Sequence, residues 1–174
     1  MHAPTQTVAQ NLKYRSLTDF ATMTGTDVAA LLSLARRLQD ASLTDANRRA
    51  LRGKNVALLC DVVDDDESAL FQRAASGLGA QVAHLRPQLS QLSVPQEVQH
   101  TAQLLGRLYD ALDCVGMPSD LVGRIGAAAG VPVFEAISSR AHPIARLAIG
   151  LDPGQALDDN RCAVVRAVLF SALA

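Results

Sequence analysis

NVALLCDVVDDDESALFQRAASGLGAQVAHL, residues 55–85, reads as a strand, a helix and a second strand. NVALLC (55–60) is an apolar run too short for a helix. ALFQRAASGLGA (69–80) carries a helical pattern and stops at GLGA (77–80). QVAHL (81–85) is again short and apolar. Two strands joined by a helix form the unit of a parallel sheet. Between the first strand and the helix stands DVVDDDES (61–68), with four consecutive carboxylates, Asp64, Asp65, Asp66 and Glu67. A strand-to-helix turn is where α/β proteins usually hold an anion on free helix amides, so an all-acidic turn is out of character.

The pattern repeats outward. ALDCV (111–115) and PVFEA (132–136) are further strand candidates, and 67–77, 96–109 and 119–128 are the helices between strands. Val98, Ala102, Leu105, Leu108 and Tyr109 share one face of the second. LVGRIGAAAG stops at Gly130, and Pro132 opens the next strand. Upstream, TDVAALLSLARRLQDA forms a helix with Thr26 as N-cap and Asp27 in its first turn. Downstream, His142-Pro143 starts a short helix and Asp152-Pro153-Gly154 is a turn. Residues 161–174 are apolar nearly all round, so that helix must be buried on several sides. The expectation is an α/β fold: a three-layer domain over 16–174, about four strands in a mostly parallel sheet, helices on both faces and the final helix packed back, after a flexible arm over 1–15.

Composition narrows the function. The chain has 174 residues, 49 % hydrophobic and 19 % charged, with 16 Lys plus Arg against 17 Asp plus Glu. The net charge of −1 and the lack of a basic stripe argue against nucleic acid and anionic membranes as partners. Aromatic residues make up 3 %, so Ala, Leu and Val must build the core. Cys60, Cys114 and Cys162 are far apart and read as buried thiols in a reducing compartment. No uninterrupted apolar segment would span a bilayer, and MHAPTQTVAQ lacks a signal-peptide hydrophobic region, so a cytoplasmic location is expected. Ser68, Ser76, Ser90, Ser138 and Ser139 have no base at a motif spacing, and the glycines form neither a dinucleotide fingerprint nor a P-loop. No cofactor and no catalytic group are expected.

Four stretches together resemble the ornithine/aspartate carbamoyltransferase family, specifically its N-terminal carbamoyl-phosphate-binding domain. They are RSLTDFATMTGTDVAALLSLARRL (15–38), LRGKNVALLC through SALFQRAASGLGAQVAHL (51–85), SQLSVPQEVQHTAQLLGRLYDAL (90–112) and VPVFEAISSRAHPIARLA (131–148). The tail ALDDNRCAVVRAVLFSALA (156–174) resembles the C-terminal segment of ornithine-type members, where a helix returns from the second domain. About twenty residues after the His-Pro helix the chain already resembles that returning helix, so it looks like a member from which the second domain was excised.

The resemblance gives the acidic turn a meaning. In the family, the position of Asp64-Asp65-Asp66-Glu67 is held by Ser-Thr-Arg-Thr, which grips the phosphate. Here the carboxylates can cap the helix amides themselves. A phosphate within ~5 Å of one would meet ~3 kcal/mol of repulsion at an effective dielectric near ~20. A few such terms cancel the roughly 4–8 kcal/mol of millimolar to micromolar binding. The family's arginine after the third strand aligns near Val115-Gly116, and its His-Pro-Cys-Gln aligns with His142-Pro143-Ile144-Ala145. His142 and Arg161 are thus the candidate remnants of substrate binding. The structural alternative is that His142 bonds a neighbouring carbonyl and Arg161 pairs with the acidic turn.

Three functions compete. The first is a non-catalytic carbamoyltransferase-like protein acting through assembly; the resemblance implies a homo-trimer, or a mixed oligomer with a full-length carbamoyltransferase. The second is a carbamoyl-phosphate-binding carbamoyltransferase of amino-acid metabolism that needs a partner chain to complete its site. The third is a cation site on Asp61, Asp64, Asp65, Asp66 and Glu67, whose oxygens suit magnesium or calcium; no recognised metal-ligand spacing is present.

Overall fold

The computed structural model describes residues 17–60 and 65–174. The arm expected over 1–15, together with Asp61 and Asp64, lies outside the described residues. Four strands alternate with helices: α1 (Leu17–Ala21), α2 (Gly25–Arg37), β1 (Asn55–Leu59), α3 (Asp66–Gly77), β2 (Gln81–Leu85), α4 (Pro95–Leu108), β3 (Ala111–Cys114), α5 (Ser119–Ala129), β4 (Val133–Glu135) and α6 (Leu157–Leu173). A 3-10 helix, Pro143–Gly150, takes the place of the short helix expected after His142.

The sheet is wholly parallel in the order β2-β1-β3-β4. Central β1 pairs Asn55 with Gln81 on one side and Val56 with Ala111 on the other. Side chains alternate across the sheet and both faces are covered, which is why central β1 reads as the continuous apolar run VALL. Val56, Leu58, Ala111 and Phe134 join the core formed with α2, α3 and α6. Ala57, Leu59, Leu112, Cys114 and Val133 join the core under α4 and α5. The result is three layers around one sheet.

Helix boundaries follow capping chemistry. The N-cap of α2 is Thr24 rather than Thr26: its hydroxyl accepts the Asp27 N–H at 3.2 Å, and the Asp27 carboxylate accepts the Thr24 N–H at 3.3 Å. A capping box needs its partners three residues apart, and Thr26 is already inside the first turn. At the far end of α5, Gly130 adopts φ +73°, the left-handed stop expected of glycine. Gly106 permits the α4–α5 approach: a Cβ there would sit 1.8 Å from the Ala129 carbonyl oxygen.

The last helix is buried along Asn160–Leu169, packed against α2, α3 and the 3-10 helix. It carries a cation that its apolar character hides. Arg166 is 3 % exposed and donates from Nη1 to the Leu38 carbonyl at 3.0 Å, while Nη2 meets Asp40 Oδ1 at 2.7 Å. Gly77 makes room for it, since a Cβ there would lie 2.7 Å from Arg166 Nη2. The glycine that reads as a helix stop is therefore also a slot for a guanidinium.

Candidate functional site

At the carboxyl ends of the strands, where open α/β sheets bind ligands, three segments meet: the N-terminus of α3, the end of β3, and the chain from β4 to the 3-10 helix. Asp65 is the N-cap of α3, and its Oδ1 accepts the Ser68 N–H at 2.5 Å. Asp66 and Glu67 occupy the first turn, where the helix dipole favours negative charge. Glu67 also reaches across the crevice: its Oε1 accepts the Arg140 N–H at 2.8 Å. Two carboxylates of the acidic turn are thus satisfied by backbone amides, one in their own helix and one 73 residues away.

Beneath them lies Asp113, fully buried in β3. Strand alternation places it on the α3–α6 face, opposite Leu112 and Cys114. Its Oδ1 accepts the Ile137 N–H at 3.2 Å, while Oδ2 has no partner among the described residues. Burial pushes its pKa from 3.8 up to about 7; the amides of Ile137 and Ala136 pull the other way, and the charge of Glu67 adds to the rise. Ala136 itself adopts φ +50°, a left-handed conformation rare for a residue with a Cβ. The Asp113 bond holds the residue that follows this turn. Sequence reasoning passed over Asp113, although a lone carboxylate inside ALDCV is a visible signal.

His142 is 2 % exposed and N-caps the 3-10 helix. Its Nδ1 accepts the Ile144 N–H at 3.3 Å, so the ring bonds an amide and not the carbonyl expected. That pattern puts the ring proton on Nε2, which is buried without a partner among the described residues. Burial lowers the imidazole pKa to about 4, and Phe20 stands edge-on with ring centroids 4.8 Å apart. The ring is therefore neutral at physiological pH and offers one N–H donor.

Arg161, 6 % exposed, bonds Asp158 Oδ1 at 2.6 Å and the Ser138 carbonyl at 2.6 Å. It pairs with its own helix three residues back rather than with the acidic turn, because an i,i+3 carboxylate is already within reach. The Arg161 bond holds the Asp158 carboxyl below its usual range, with Arg140 and Arg73 adding to the effect. Arg161, Ser138 and Ile144 border a cavity of about 10 Å³, room for about one water, and the Ser138 hydroxyl is buried without a partner among the described residues.

The structure brings Glu67, His142 and Arg161 onto the single segment 138–144. It places Asp65 one turn of helix away, and Asp64 lies outside the described residues. Val115 and Gly116, at the position of the family's next arginine, line a separate groove of about 340 Å³ with Ser90, Gln91 and Leu92. No group of three or more His, Cys, Asp or Glu among the described residues is placed to hold a metal ion. Cys60, Cys114 and Cys162 are buried, and burial raises the pKa values of Cys114 and Cys162, which disfavours the nucleophilic thiolate at both. No helix among the described residues is long and apolar enough to cross a membrane.

Comparison with known proteins meets this geometry. Residues 15–148 match a family model described as aspartate/ornithine carbamoyltransferase, carbamoyl-P binding domain. The ornithine carbamoyltransferase of Actinobacillus pleuropneumoniae serotype 5b is 34 % identical over 141 residues, which cover 81 % of this chain and 42 % of that protein. The catabolic ornithine carbamoyltransferase of Haemophilus influenzae is 33 % identical over the same length. The chain thus spans about two fifths of these relatives. Among solved structures, ornithine carbamoyltransferase from Thermus thermophilus superposes with TM-score 0.62 at 25 % identity, over 79 % of this chain and 47 % of that one. The enzyme from Pyrococcus furiosus gives 0.63 at 25 %, over 79 % and 44 %. On its sequence, its four-stranded parallel sheet and its matched residues, this chain belongs to the aspartate/ornithine carbamoyltransferase family, through the carbamoyl-phosphate-binding domain.

Proposed function

We propose that the chain is a non-catalytic member of this family that acts in the cytoplasm through assembly, as a homo-trimer or with a full-length carbamoyltransferase. One observation carries the reading. The amide donors at the α3 N-terminus and at Arg140 are occupied by the chain's own carboxylates, Asp65 at 2.5 Å and Glu67 at 2.8 Å. An incoming phosphate would have to displace anions that are covalently part of the fold and would meet their charge at close range. Asp65, Asp66 and Glu67 therefore act as resident anions in a cradle for an anionic ligand.

Titration calorimetry with carbamoyl phosphate tests the non-catalytic half. The expected result is no saturable heat up to about 1 mM, and saturation in the micromolar range would overturn it. Replacing residues 64–67 by Ser-Thr-Arg-Thr (Asp64→Ser, Asp65→Thr, Asp66→Arg, Glu67→Thr) should restore phosphate binding. Sedimentation velocity tests assembly, and a clean monomer at micromolar protein would count against the homo-oligomer.

A second reading is that the chain binds carbamoyl phosphate when a partner supplies the missing groups. The buried Nε2–H of His142, which has no acceptor among the described residues, favours it. Mixing with a full-length carbamoyltransferase before the titration separates the two readings.

A further inference from the structure

A groove of about 380 Å³ opens between the 3-10 helix Pro143–Gly150 and the first turn of α6. Its apolar surface comes from Ala145, Ile149, Ala156 and Leu157. Ile149 and Leu157 are 71 % and 53 % exposed and line the same groove, so they form a contiguous apolar surface rather than scattered side chains. The polar rim is three guanidiniums, Arg140, Arg146 and Arg161, against one carboxylate, Asp158.

The charges do not cancel. Arg161 is committed to Asp158 and to the Ser138 carbonyl. The Arg140 guanidinium lies 3.7 Å from the other oxygen of Asp158 and remains mostly solvated. Arg146 is exposed and makes no ion pair among the described residues. The rim therefore keeps a surplus of positive charge beside an apolar floor. The volume falls within the small-ligand range of about 300–1,000 Å³. A guanidinium recognises a planar carboxylate through two parallel N–H donors, and an apolar floor rewards an aliphatic body. A dianionic head would be disfavoured by Asp158 and by Asp159 beside it.

We propose that this groove binds a medium-chain aliphatic monocarboxylate, its head between Arg140 and Arg146 and its chain on Ile149 and Leu157. A chain of about six to ten carbons matches the space. The groove shares Arg140 and Arg161 with the crevice at Glu67 but opens on the α6 side of them, and carboxylate binding there is tested without carbamoyl phosphate.

Methyl NMR of the full chain, with octanoate as probe, tests this. Saturable shifts are expected at the Ile149 and Leu157 methyls, with octanamide binding at least about tenfold more weakly because it lacks the charge. Acetate, which lacks the chain, should not saturate. The double substitution Arg140→Gln and Arg146→Gln should weaken octanoate about tenfold or more, with the melting temperature unchanged. Equal binding of octanoate and octanamide, shifts centred elsewhere, or no saturation by about 10 mM would each overturn the proposal. The octanoate-to-octanamide comparison uses the unaltered chain, so it stands even if the variant folds poorly.

Discussion

Replacing Asp113 by Asn should stabilise the protein above neutral pH and do little below pH ~4.5. Asn keeps an oxygen for the Ile137 N–H and cannot ionise. In the native chain, burial raises the Asp113 pKa from 3.8 to about 7. Because the folded-state value exceeds the unfolded one, the folded chain holds this proton longer. The contribution is fully present below the unfolded value and is lost as pH rises through about 7. At about 1.4 kcal/mol for each pH unit between the two values, the loss reaches about 4 kcal/mol. In a domain of this size that corresponds to about 8–16 °C in melting temperature. The assay is urea and thermal unfolding of both proteins at matched pH from about 4.5 to 8.5. His142 titrates in both and drops out of the difference. A difference that stays flat across this range, or an Asn variant less stable at alkaline pH, would refute the argument. It would mean that the two amides, Ile137 and Ala136, hold the charged carboxylate well enough to offset its desolvation.

Three further outcomes follow from the same geometry. His142→Asn should gain stability relative to the native chain as pH falls below 6.5 towards about 4, by up to about 3 kcal/mol, because only the native chain must charge a buried imidazole on unfolding; parallel acid titrations followed by circular dichroism measure it. Gly106→Ala drives a methyl to within 1.8 Å of the Ala129 carbonyl and should lower stability by about 3 kcal/mol or more as α4 and α5 separate; a near-native urea midpoint would show that the helices give way cheaply. Asp65→Ala removes the N-cap of α3 and should cost about 1 kcal/mol in denaturant unfolding. A change indistinguishable from zero would mean that water or Asp66 caps Ser68 equally well.

Local chemistry alone was enough for the architecture. The run VALL within NVALL fits a central strand covered on both faces, where consecutive apolar side chains are all buried, and the half-buried QVAHL fits the edge beside it. Gly130 ends α5, the carboxylates of the acidic turn cap α3, and the tail helix is buried, each from residue type and spacing. Tertiary structure decided which polar groups meet. The Glu67 contact with Arg140 spans 73 residues, the Asp113 contact with Ile137 spans 24 and the Arg166 contact with Leu38 spans 128. Periodicity reports which way a side chain points and carries nothing about a distant partner. A buried charge is set by the atoms that surround it after folding, so the electrostatic character of the crevice, and of the groove between the 3-10 helix and α6, emerges only when the layers close.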